Sequence, residues 1–236
     1  MAEPLGQPLL VTTLDDRVYE AIRDRIVQGL APGTPLRLAD LAAQFGVSIM
    51  PVRAALARLE QDGLVRQQPH RGSVVSPLEL EDLEEIQALR FGIEGYAARR
   101  GAAAVRTADI KKMHSLVRRL RAAAVAADLD SYLELAAAFH DVCYAAVGRP
   151  RLTALVAVHR RAAERYIRAV LAHEQPLGES VAAQERFLAA CEAGDGAAAE
   201  RELRGSLDWL TVELARLLGE GAAATPFVPD GVLVPA

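Results

Sequence analysis

The sequence is short of cysteine, of aromatic residues and of long apolar runs, and each shortage removes a class of protein. Cys143 and Cys191 are the only cysteines, and they form no Cys-x-x-Cys pair. They cannot build a disulfide framework or a metal knuckle, and read as small hydrophobes of a reducing compartment. Aromatic side chains make up 5% of the chain while alanine recurs throughout, which favours close-packed helices over strands. No apolar run approaches the ~18 residues of a membrane span. Residues 1–10 lack the basic start and apolar stretch of a secretion signal, so the expected location is the cytoplasm. There is also no Gly-rich phosphate loop, no Gly-x-Ser-x-Gly elbow, no His-Glu-x-x-His and no recognisable catalytic constellation. The chain is expected to be a binding protein rather than an enzyme, with no cofactor.

A surplus of positive charge is missing too. The formal net charge is −4, from 27 basic and 31 acidic residues. Residues 1–77 hold eight of each, so all the excess acid lies in the rest of the chain. Any contact with nucleic acid must come from a local patch. What is present is ordinary globular material: 236 residues, 51% hydrophobic and 25% charged, enough for one or two domains.

Two blocks stand out. In the first, Val18, Ile22 and Ile26 recur at helical spacing, with Leu14 one turn earlier, and Gly29 with Pro32-Gly33 stops that helix. Leu38, Leu41, Ala42 and Phe45 give a second, short helix ended by Gly46. Ser48 suits the N-cap of a third helix, with Pro51 in its first turn and Val52, Ala55, Leu56 and Leu59 on its inner face. Two short extended runs, 64–68 and 73–76, then flank a turn at Pro69-His70-Arg71-Gly72.

Three helices followed by a hairpin is the order of a winged helix-turn-helix, whose recognition helix enters the major groove by its N-terminal residues. The outward side of that helix begins with Ser48, Ile49, Met50 and Arg53. The Ser48 hydroxyl and the free N–H groups suit a phosphate. Arg53 can pair with a phosphate or a guanine, and Ile49 or Met50 can touch a thymine methyl. Arg71, beside Gly72 at the hairpin tip, can reach the backbone or the minor groove. The stretch from Val18 to Pro77 resembles the GntR-family DNA-binding domain. The shared positions are Ile26, Gly29, Pro32, Gly33 and Leu36, then a core of the type LA..lGVS..PVR.AL.rL...GLV, then a wing of the type rG..V. The resemblance places Ser48, Arg53, Arg71 and Gly72 at DNA contacts. Where relatives commonly carry Arg-Thr after the serine, this chain has Ile49-Met50, so no operator sequence can be transferred.

The second block reads as helical throughout. Leu80, Leu83, Ile86, Leu89 and Ile93 form one amphipathic stripe, and Ile110, Met113, Leu116, Val117 and Leu120 another. Further helices are expected over about 129–147, 151–172, 180–193 and 197–218, giving a bundle of some six helices. The stretch 82–218 resembles the FCD domain, the all-helical effector domain of the FadR-type subfamily. The motifs are Leu89-Arg90…Ile93-Glu94…Ala97-Ala98, Phe139-His140…Gly148…Pro150-Arg151-Leu152, and the run from Glu185 to Leu203. Many such domains hold a divalent metal with one Asp and three His. By resemblance those positions are Ala136, His140, Gln184 and Ser206 here, so only one ligand remains and no metal is expected. His140, Gln184 and Ser206, with Arg90 as anchor for an organic acid, are the candidate effector contacts. For Arg90 the competing reading is an i,i+4 ion pair with Glu94. For His140 it is a polar residue at the rim of the core. His114, His159 and His173 read as surface or half-buried residues.

The expected fold class is thus mainly α: residues 14–77 a winged helix-turn-helix, residues 78–219 an all-helical effector-binding and dimerisation domain, residues 220–236 a tail. Residues 1–13 read as a second loose end. The expected function is a transcriptional regulator, more specifically a repressor. Its expected partners are a double-stranded DNA operator, a small-molecule effector and a second copy of itself. A winged-helix protein-interaction adaptor is the competing reading, which Ile49 and Met50 favour and Arg53 and Arg71 oppose.

Overall fold

The computed structural model describes residues 13–174 and 177–219. Their contacts divide into two units, one ending at Pro77 and the other beginning at Leu78. The expected ends, 1–12 and 220–236, lie outside the described residues. Thr13 does not belong with them, because it caps the first helix. Its hydroxyl accepts from the Asp16 amide, and the Asp16 carboxylate accepts from the Thr13 amide at 3.1 Å, a reciprocal capping box.

The first unit runs α1 (Leu14–Val27), α2 (Leu38–Phe45), α3 (Ile49–Gln61), β1 (Val65–Gln68) and β2 (Gly72–Val75). Val18, Ile22 and Ile26 of α1 pack against Val52, Leu56 and Leu59 of α3 in one core. Leu14, expected on that face, is half exposed at 50%, one turn ahead of where the core begins. Gly46 stops α2 in a left-handed conformation, φ 65°, which glycine adopts without steric cost. The strands pair antiparallel with Val65 opposite Val75 and Gln68 opposite Gly72. A bridge from Pro35 to Val74 adds a third segment that the sequence pattern did not announce, with the Leu36 amide donating to the Ser73 carbonyl at 2.8 Å.

The second unit has six helices among the described residues: α4 (Leu80–Ala102), α5 (Thr107–Val125), α6 (Leu129–Ala145), α7 (Pro150–Glu174), α8 (Leu177–Glu192) and α9 (Gly196–Leu217). The principal pairings are α4 with α9, α7 and α6, α5 with α6 and α8, and α8 with α9. On α5 the buried residues Met113, Leu116, Val117 and Leu120 follow the expected stripe.

On α4 they do so only in part. The buried residues are Leu83, Gln87, Arg90, Glu94, Gly95, Ala97, Ala98, Gly101 and Ala102, whereas Leu89 is 53% exposed and Ile86 and Ile93 are half-buried. The expected stripe is buried in part, with Leu83 in a core and Leu80, Ile86 and Ile93 packed against core clusters, and the buried face also carries Gln87, Arg90 and Glu94, which bond to one another and to groups on α6, α7 and α9.

α4 and α6 come close where Gly101 meets Cys143. A Cβ on Gly101 would lie 2.3 Å from the Cys143 carbonyl oxygen and 2.7 Å from its sulfur. Gly205, inside α9, would meet nothing within 4 Å. Gly101→Ala is therefore expected to destabilise the protein by about 1–3 kcal/mol through overpacking. Gly205→Ala should be neutral or add up to about 1 kcal/mol of helix propensity. Urea unfolding of both variants checks this, and equal effects would mean that the crossing yields without cost.

Candidate nucleic-acid interface and effector site

The head of α3 is exposed and its cap is open. Ser48 occupies the N-cap with φ −71° and ψ 168°, yet its hydroxyl makes no cap bond. Pro51, third in the helix, is buried and supplies no amide where none is needed. Ile49 is 45% and Met50 70% exposed, and Arg53, one turn on, is exposed on the same side.

Further along, α3 and the hairpin wall a groove of about 450 Å³ lined by Arg53, Glu60, Gln67, Arg71, Gly72 and, from the residue before α2, Arg37. Gln67 braces it, donating to Ser73 Oγ at 3.0 Å and to Glu60 at 3.4 Å. Three guanidiniums against one carboxylate make this a cationic concavity in a unit with no net charge. Arg53, Arg71 and Gly72 are thus brought together. Ser48, Ile49 and Met50 stand at the helix start outside the groove. Arg37 was not foreseen, because it precedes a helix by sequence and joins the patch only through folding. At the hairpin tip, His70 has φ 64° and Gly72 φ 70°, the backbone a tight turn demands.

In the helical unit one group of buried polar residues gathers around Glu94, which is 1% exposed. Its carboxylate accepts from Arg90 Nε at 2.7 Å and from the Tyr144 hydroxyl at 3.1 Å, with Arg160 Nη2 at 3.9 Å. Arg90 also donates to Gln87 Oε1 at 3.2 Å, and Gln87 donates to the Leu207 carbonyl at 2.9 Å. Arg160 is held by Asp141 at 2.9 Å, while its Nη2 is buried without a hydrogen-bond partner. Burial alone would raise the Glu94 pKa, but Arg90 and Arg160 outweigh it and hold the carboxylate below its ordinary range.

His140 is half-buried at the edge of the core and borders this cluster. Its ring stacks on Tyr144 and meets Phe139 and Phe187 edge-on, with the Phe187 centroid at 4.9 Å. Nδ1 lies 3.1 Å from the Ala136 carbonyl oxygen, so it carries the proton and donates, leaving Nε2 as an acceptor. Burial, reinforced by the positive charge of Arg160, pushes the imidazole pKa down to about 4, against the pull of Glu94. Gln184 is buried and its Oε1 has no partner. Ser206 donates to the Glu202 carbonyl of its own helix at 3.2 Å.

Of the four expected effector contacts, then, Arg90 is engaged by Glu94, His140 and Gln184 keep unused acceptors, and Ser206 is tied to its helix. Tyr144 and Arg160 were missed. Tyr144 could have been found four residues after His140, on the same face, whereas nothing local points to Arg160. Of the remaining histidines, His114 is exposed and paired with Glu192 at 2.6 Å, His159 is half-buried and His173 exposed.

The donor set does not fit a divalent metal. One imidazole acceptor, one amide and one hydroxyl, beside the methyl of Ala136, are too few basic ligands. Among the described residues no group of three or more His, Cys, Asp or Glu converges on a common point. Nor is any described helix long and apolar enough to cross a membrane.

A winged helix-turn-helix ahead of an all-helical bundle defines a class, and comparison assigns it: residues 14–75 match the bacterial regulatory proteins of the gntR family, and residues 85–208 match the FCD domain. The chain belongs to the gntR family and carries an FCD domain. It is 32% identical over 130 residues to the HTH-type transcriptional repressor RspR of Escherichia coli (strain K12), covering 55% of this chain and 57% of that one. The chain thus spans little more than half the length of that relative. It is 34% identical over 131 residues to an HTH-type transcriptional regulator in the TAR-I ttuE-ttuC' intergenic region of Agrobacterium vitis, covering 54% of this chain and 77% of that protein. Among solved structures, E. coli McbR/YncC superposes with a TM-score of 0.73 over 88% of this chain and 100% of its own, at 22% identity, a likeness of fold.

The His140 environment sets a pH dependence. An unfolded imidazole titrates near 6.5 and the folded one near 4, so the folded state refuses a proton that the unfolded state accepts between those values. The stabilisation is complete above pH 6.5 and is lost as pH falls towards 4, on the order of 3 kcal/mol in all. Melting temperatures measured from pH 7.5 to 4.5 should fall less steeply in His140→Gln than in the parent. Parallel curves would show that the imidazole titrates normally.

Proposed function

We propose that this chain is a sequence-specific DNA-binding transcriptional regulator, a repressor, whose helical unit binds a small-molecule effector and pairs two copies in the cytoplasm. The observation that carries the reading is the cationic groove of Arg37, Arg53 and Arg71 beside the open, exposed head of α3. A phosphate backbone lying along the groove would bring base edges to Ser48, Ile49, Met50 and Arg53, with Arg71 and Gly72 against the backbone or the minor groove. A single recognition helix reads few bases, so a two-fold related pair of half-sites is the expected target.

The proposed effector site is the region of His140 and Gln184, flanked by Arg90 and Ser206. His140 Nε2 and Gln184 Oε1 would accept from ligand hydroxyl or amino groups. The Nη2 of Arg160, which makes no hydrogen bond and lies 3.9 Å from Glu94, would take a carboxylate oxygen, the role first expected of Arg90. The organic-acid reading therefore rests on Arg160, with Glu94 holding the surrounding arginines in place. A protein-interaction adaptor is the second reading, supported by the exposed Ile49 and Met50. Salt separates the two, since DNA affinity falls steeply as counterions are released.

With duplexes selected by the protein from a random library, Arg53→Ala should cost about 1–3 kcal/mol on the selected sequence and less on random DNA. Arg37→Ala should weaken both alike and flatten the salt dependence. If mobility shifts show no retained duplex, the DNA reading fails. If Arg53→Ala loses equally on both, Arg53 touches phosphate only.

Effector and DNA should be coupled by about 1–3 kcal/mol, reciprocally. A panel of small organic acids screened by thermal shift would yield the ligand, and anisotropy with and without it would yield the coupling. A ligand that raises the melting temperature, loses its effect in Gln184→Leu and leaves DNA affinity unchanged would refute effector control.

A further inference from the structure

Cys143 on α6 and Cys191 on α8 are 48 positions apart in the chain, and the fold brings their sulfurs to 3.8 Å from each other. They are the only cysteines of the sequence, so neither has another partner to choose. Both are buried, at 0% and 2% exposure, in the main core of the helical unit beside Phe139, Phe187 and Leu188. Read along the chain they are separate small hydrophobes. In the fold they are a dithiol.

The main chain of α4 keeps the Cys143 sulfur where it is. Its Sγ lies 3.9 Å from the Ala98 carbonyl oxygen. One turn on, a Cβ at Gly101 would come within 2.7 Å of the same sulfur. The bare glycine makes the room that the sulfur fills, and the helix behind it leaves little space for retreat. Cys143 is thereby held within reach of Cys191.

We propose that Cys143 and Cys191 are a redox pair, joined by a peroxide into a reversible disulfide that clamps α6 to α8. The chemistry balances within the pair. One thiol breaks the O–O bond of hydrogen peroxide, giving a sulfenic acid and one water. The second thiol displaces the sulfenic hydroxyl as another water and forms the S–S bond. The sulfurs give up two electrons, the peroxide takes both, and both thiol protons leave in water. A low-molecular-weight thiol such as glutathione reverses the step by exchange. Bonding needs a closure from 3.8 Å to about 2.05 Å, shared between two side chains.

Burial makes the pair selective. The adjoining Cys191 sulfur and the apolar surroundings push the Cys143 thiol well above its ordinary pKa, so its reactive thiolate is scarce at rest. Bulky or charged reagents are kept out. A small neutral oxidant that enters during a local opening meets two thiols, and the first sulfenic acid is consumed by its neighbour before further oxidation. A single buried thiol has no such trap. In a reducing compartment a disulfide of this kind is transient, as a sensor requires. His140 lies three residues before Cys143, and Gln184 seven before Cys191. The clamp therefore joins the two helices that carry the proposed effector contacts, although the disulfide itself does not depend on that reading.

The test exposes the folded full chain to hydrogen peroxide at neutral pH, then counts thiols after unfolding in guanidinium. The parent should pass from two titratable thiols to none and regain both with dithiothreitol. Its digest should contain a peptide pair joined through Cys143 and Cys191, two hydrogens lighter than the reduced peptides. Cys143→Ala and Cys191→Ala should each keep their single thiol about tenfold longer than the parent, because neither can trap a sulfenic acid. In the oxidised parent, amide exchange across α6 and α8 should slow about tenfold while α1 to α3 are unchanged. Parent thiols that survive the treatment, or that are lost as sulfinic acid without a cross-link, would overturn the proposal. So would single-cysteine variants that lose their thiol as fast as the parent. A cross-link that leaves exchange in both helices unchanged would overturn the clamp.

Discussion

The carboxylate of Glu94 is the constraint on which the helical unit depends. Removing an ion from water costs several kcal/mol even after the protein relaxes, and the cost is met only if partners converge with good geometry. Here they come from three helices: Arg90 from α4 itself, Tyr144 from α6 and Arg160 from α7. Any arrangement that satisfies Glu94 fixes the rotation of α4 and the approach of α6 and α7. Gln87 extends the constraint to α9 through the Leu207 carbonyl. The apolar layers of Met113, Phe139, Phe187 and Leu203 supply driving force without direction, whereas the buried charge supplies direction.

The same charge explains where sequence reasoning held and where it slipped. The winged unit was legible because its determinants are local. Gly46 can be left-handed, Ser48 stands at the N-cap position, Pro51 fits a first turn, and hydrophobic periods of α1 and α3 coincide with their buried faces. On α4 a hydrophobic stripe through Leu80, Leu83, Ile86, Leu89 and Ile93 competed with a polar one through Gln87, Arg90 and Glu94. Periodicity assigns the apolar stripe to the core, yet the polar one is buried as well, because two partners of Glu94 lie 50 and 66 positions away in sequence. No local rule reports such partners.

The candidate sites divide in the same way. Arg53, Arg71 and Gly72 could be named from a motif, and the groove they share with Arg37 only from coordinates. His140 and Gln184 could be named by resemblance, but the guanidinium of Arg160 could not. What a motif transmits is position along a chain. What a site requires is convergence, which only the fold supplies.

The bridge between Pro35 and Val74 has a consequence for the hairpin. A two-stranded ribbon is marginal by itself in water, and its tip samples many orientations. With Leu36 bonded to Ser73, and Gly33 and Thr34 bonded to Val75, the ribbon is sewn to the segment that leads into α2. The freedom of the tip is therefore surrendered during folding, before any partner arrives. If Arg71 contacts DNA as proposed, it would do so with its backbone already ordered, and that entropy would not be lost again at the moment of encounter.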